Sequence, residues 1–66
     1  MNDPHDSILQ RYFWDFVDGG DAMADTPLFT GIHGGEQLPA VIAREFGLPA
    51  DEAESAIEIA RKEVAL

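Results

Sequence analysis

The sequence has 66 residues, no cysteine, and 13 acidic side chains against four basic ones, a formal charge of −9. That length allows one domain, which buries only roughly 60% of its unfolded surface. The missing cysteines exclude disulfides and thiolate zinc sites as supports. The charge disfavours direct contact with phosphate backbones and anionic membranes, where affinity comes from Lys and Arg. It favours a partner with a basic surface, or serves only to keep a small protein solvated.

With 45% hydrophobic residues gathered in clusters, the chain is expected to fold as a single all-α domain over residues 1–66. Met1 to Ser7 lack the basic start and apolar run of a signal peptide. No stretch reaches the length that spans a bilayer, so the expected location is the cytoplasm, with no membrane partner.

The first helix is predicted at residues 4–18. Asp3 is placed to cap it, and Pro4 suits the first helical position because no amide is needed there. Ile8, Leu9, Tyr12, Phe13 and Phe16 recur at helical spacing, and Gly19-Gly20 ends the run. At about 100° per residue Trp14 points nearly opposite Tyr12 and Phe16. Trp14 with Val17 is therefore either a surface anchor for a partner or a patch covered by Leu28 and Phe29 of the following loop.

Residues 19–35 are expected to hold some local order, since structureless connections of that length are unusual in compact domains. Thr26-Pro27 is read as the start of a single turn carrying Leu28 and Phe29 inward. Gly31 to Gly35 is read as a flexible loop.

A second helix is predicted at residues 36–46, with Leu38, Val41, Ile42 and Phe46 as its stripe, Pro39 in its first turn and Gly47 as its stop. A third is predicted at about residues 50–64, burying Ala53, Ala56, Ile57, Ala60 and Val64. Either Pro49 opens it, or Asp51 and Glu54 form a capping box. Arg61 and Lys62 complement the dipole at its end. Ile59 projects opposite the Ala53–Ile57–Val64 stripe, near Leu66, on an outer face shared with Glu52, Glu58 and Glu63.

The helix pair with its single glycine turn, including Ala43, Gly47, Ala53, Ala56 and Ile57, resembles the helix-turn-helix unit of DNA-binding domains. It is also similar to the first two helices of ubiquitin-associated-type domains. The first resemblance implies a helix that reads the major groove, but here that helix carries Asp51, Glu52, Glu54, Glu58 and Glu63. Asp6-Ser7-Ile8 resembles the attachment triplet of acyl carrier proteins, yet it stands in the first helix instead of opening a central one. His33-Gly34-Gly35 is similar in letters to the oxyanion loop of lipases, without the Gly-x-Ser-x-Gly elbow that belongs with it.

His5 and His33, with Asp3, Asp6 and Glu36, have no metal-ligand spacing, so neither a metal set nor a cofactor is expected. Three short helices offer little concave, water-excluding space, so no catalytic residues are assigned. The expected function is that of a small protein-binding regulator, adaptor or inhibitor, with contacts at Trp14, Val17, Glu52, Glu58, Ile59 and Glu63. A nucleic-acid mimic that blocks a basic site is the alternative, and a helix-turn-helix DNA binder the third. If Trp14 and Ile59 are both exposed, a partner groove or a second copy of the chain becomes the better account.

Overall fold

The computed structural model describes residues 4–65; the cap assigned to Asp3 and the position of Leu66 lie outside them. The first helix runs as three consecutive pieces: α1 (Pro4–Leu9), a π-helical turn (Gln10–Trp14) and α2 (Asp15–Asp18). Helical dihedrals at Leu9, Trp14 and Asp15 carry the chain through without a break. The rod ends in a glycine-dependent reversal. Gly20 takes φ 107°, the Gly20 amide donates to the Val17 carbonyl, and the Asp21 amide donates to that of Phe16.

The connection that follows is more ordered than its composition suggests. A 3-10 turn (Met23–Asp25) leads into α3 (Pro27–Thr30), with Thr26 and Leu28 fully buried. The start at Thr26-Pro27 agrees with expectation, although the Thr26 hydroxyl donates to the Met23 carbonyl at 2.8 Å instead of capping α3.

The segment read as a flexible Gly31–Gly35 loop is a tight hairpin of β1 (Ile32–His33) and β2 (Glu36–Gln37), with Ile32 opposite Gln37 and His33 opposite Glu36. Gly34 (φ 61°) and Gly35 (φ 82°) supply the two left-handed residues that a right-twisted two-residue hairpin turn demands. The second long helix, α4 (Leu38–Phe46), starts two residues later than predicted because Glu36 and Gln37 belong to that hairpin. The Leu38 amide donates to the Gly31 carbonyl at 2.8 Å, which ties the helix start to the end of α3.

After Gly47 (φ 67°), α5 (Ala50–Val64) forms over the predicted span. The capping box does not form: α5 has no side-chain cap hydrogen bond among the described residues. Pro49, extended at φ −59° and ψ 154°, occupies the cap position itself and puts Asp51 and Glu52 in the first turn. There their carboxylates meet the positive end of the helix dipole directly.

Alpha helix α5 is the shared wall of the domain. α1 and α4 both pack on it, and α3 closes over it as well. Buried Ala53, Ala56 and Ala60 keep its inner face low, so Ile8, Leu28, Leu38 and Ile42 approach closely enough to be wholly excluded from water. Phe29, Phe46, Leu48 and Val64 pack around the edge of that cluster. The result is the expected small all-α domain of three main helices, with one small hairpin added.

Candidate partner-binding surface

The first rod presents two different faces beyond the core. On one, Trp14 stands 44% exposed, its ring edge-on to Phe13 at 4.7 Å between centroids. Leu28 and Phe29 leave it partly open. Leu28 goes into the core, and Phe29 meets the Phe13 ring at 5.9 Å. Val17, expected on the surface beside Trp14, is half-buried against the edge of the core. The π turn is the cause. The Asp15 amide reaches five residues back to the Gln10 carbonyl, so the helix beyond it lags by about one position. Val17 then takes the inward place that uniform helical spacing gives to Phe16.

Phe16 turns instead toward a groove of about 430 Å³ lined by Arg11, Tyr12, Asp15, Phe16, His33 and Glu45. The hairpin delivers His33 edge-on to both aromatic rings, 5.1 Å from Tyr12 and 6.1 Å from Phe16. The Tyr12 hydroxyl donates to Glu45 Oε2 at 2.9 Å. Arg11 Nη1 lies 3.4 Å from the same oxygen, and its guanidinium sits 5.9 Å from the Phe46 ring centre. Burial, and then the bond to Glu45, push the Tyr12 phenol up to about 12.

The acidic residues assigned to α5 do not form one surface. At about 100° per residue, Glu52, Ile59 and Glu63 fall along one flank and Glu58 along the other. Ile59 is 46% exposed. Glu63 Oε1 lies 3.6 Å from His5 Nε2, and Asp6 Oδ1 lies 3.4 Å from the same nitrogen. Glu58 lines a shallow recess with Pro39, Glu54, Ile57 and Arg61. His5 is thus half-buried, with its imidazole facing two carboxylates.

Most of the positive charge is used internally. Arg44 makes a two-pronged contact with Glu36, at 2.9 and 2.8 Å, and holds that carboxyl below its usual range. The pair is exposed to solvent, so it orients the hairpin against α4 more than it stabilises the fold. Arg61 Nε donates to the Leu28 carbonyl at 2.7 Å, satisfying an acceptor left over at the end of the one-turn helix α3. Among the described residues, Lys62 is the one Lys or Arg with no hydrogen bond or ion pair.

Arg61 was legible as a dipole-complementing cation but not as a clamp on α3, since its acceptor is a backbone atom distant in sequence. The groove was likewise missed. Its walls come from the rod, the hairpin and α4, and no local spacing links them. Among the described residues, no helix is long and apolar enough to cross a membrane. No protein-family model, curated protein or solved structure matches the chain.

Proposed function

We propose that the chain is a protein-binding module, an adaptor, regulator or inhibitor, whose partner presents a basic surface. The observation that carries this reading is Trp14, left 44% exposed on a helix and immediately followed by the groove-lining Asp15. A large ring held by its neighbour Phe13 loses little freedom on docking, and such residues dominate binding energies. Ile59 supplies a second exposed apolar group. Asp15, Asp18, Glu52 and Glu58 are carboxylates with no ion pair among the described residues, which suits a cationic partner.

Mimicry of nucleic acid is the second reading, favoured by the carboxylates along both flanks of α5. Direct DNA binding has the least support, because Arg61 is committed to Leu28 and α5 has only Lys62 to offer a phosphate.

The test is affinity capture from lysate at low and high salt, with wild type, Trp14→Ala and the double variant Glu58→Gln/Glu63→Gln. A partner retained at high salt and lost with Trp14→Ala supports the adaptor reading. A nucleic-acid-processing protein, held only at low salt and lost with the double variant, supports mimicry. Absence of any partner, together with an assembly larger than a monomer by sedimentation, replaces both with self-association.

A further inference from the structure

We propose that His5, Asp6 and Glu63 form a zinc-binding site that staples the first turn of α1 to the last turn of α5. One ligand atom from each residue lies within 4.8 Å of the other two. His5 Nε2 is 3.4 Å from Asp6 Oδ1 and 3.6 Å from Glu63 Oε1. Zinc bonds of about 2.0–2.2 Å to nitrogen and oxygen, arranged tetrahedrally, set neighbouring donors roughly 3.3–3.5 Å apart. The imidazole therefore already stands at nearly the required separation from both carboxylates. Only a small movement of two exposed side chains is needed to bring all three onto one ion.

The donor set is chemically coherent. One neutral imidazole with two carboxylates gives a borderline nitrogen–oxygen site with a net charge of −2, which suits zinc better than calcium or magnesium. The His5 side chain is 18% exposed and held at the edge of the core, so one ligand is fixed before metal arrives. The outward-facing carboxylates leave the fourth position to water, as in three-ligand zinc sites. Spacing in the sequence concealed the set, because Glu63 joins His5 and Asp6 only through the packing of α1 against α5. A domain this small, without disulfides, is also the kind in which a metal adds most to stability.

The experiment uses the untagged full chain, stripped with chelator, and zinc chloride as the probe. Calorimetric titration at neutral pH is expected to give one site of micromolar affinity, unaffected by excess magnesium. The thermal midpoint should rise by roughly 10–20 °C when zinc exceeds its dissociation constant 100-fold, and fall back on adding chelator. His5→Gln and Glu63→Gln should each weaken binding at least tenfold, while Glu54→Gln leaves it unchanged. In NMR spectra of the wild type, zinc should shift the His5 imidazole resonances and leave those of His33 in place. That last readout holds even if a variant folds poorly. Zinc that shifts His33 instead, that binds with several equivalents and is indifferent to His5→Gln, or that shows no saturable binding overturns the proposal.

Discussion

The hydroxyl of Tyr12 donates to the Glu45 carboxylate across 2.9 Å, joining the π turn of the first rod to α4 at the rim of the groove. Because Tyr12 is the one tyrosine in the chain, its ionisation can be followed directly by ultraviolet absorbance. The fold raises the phenol from 10.0 to about 12, so it favours the protonated form. The resulting stabilisation is complete below pH 10.0 and disappears as pH rises from there through about 12. The native titration should therefore lie well above that of the unfolded chain, and Glu45→Gln should bring it down.

Arg61 and Lys62 are adjacent cations with different tasks, and stability measurements should separate them. Arg61→Ala removes a 2.7 Å charged hydrogen bond to the Leu28 carbonyl and should cost about 1.5–3 kcal/mol in urea denaturation. Lys62→Ala removes an exposed side chain and should stay within about 0.5 kcal/mol of wild type.

A similar contrast holds for two glycines at helix ends. Gly47 has φ 67° with nothing within 4 Å of an added Cβ, so Gly47→Ala should cost about 1–2 kcal/mol through backbone strain alone. Gly19 has an ordinary helical φ of −78°, and a Cβ there would meet the Asp15 carbonyl oxygen at 3.3 Å, so Gly19→Ala should cost less than Gly47→Ala, below about 1 kcal/mol. Paired thermal melts of the two variants check the difference.

Leu28→Ala should unfold much of the population at 37 °C. The side chain is wholly buried where α3 closes over α5, and such truncations cost about 2–5 kcal/mol. A domain of this length has only about 3–10 kcal/mol in total. Trp14→Ala should lose about 1 kcal/mol, mainly the edge contact with Phe13, and keep its circular dichroism spectrum. That outcome makes it a usable binding variant; a melted spectrum would assign Trp14 to structure.

The three main helices were readable because each repeats apolar residues at helical spacing and ends in glycine or begins near proline. The segment between the first two was not. Two-residue strands are too short to show alternation, so Gly34-Gly35 signalled a break without revealing that its flanks pair. Nor was the π turn visible, since Ile8, Leu9, Tyr12 and Phe13 fit an ordinary helix equally well. Its effect emerges only downstream, in the exchange of places between Phe16 and Val17. Of the candidate contact residues, Trp14 and Ile59 could be read from their phase around the helix. The separation of Glu58 from Glu52 and Glu63, although implicit in the same wheel, mattered only once α5 was seen to be flanked on both sides.

The hairpin gives the groove walls of unequal firmness. Tyr12 is fixed in the core and Glu45 stands on a regular helix, but His33 rides on a ladder two residues long whose other member, Ile32, is 50% exposed. Ladders that short do not persist alone, and segments with so little buried surface open far more often than the helices around them. Amide exchange at Ile32 and His33 should accordingly outpace that of α4 and α5 by orders of magnitude. The aromatic floor is thus the firmer side of the groove, and the imidazole stands on the side expected to open first.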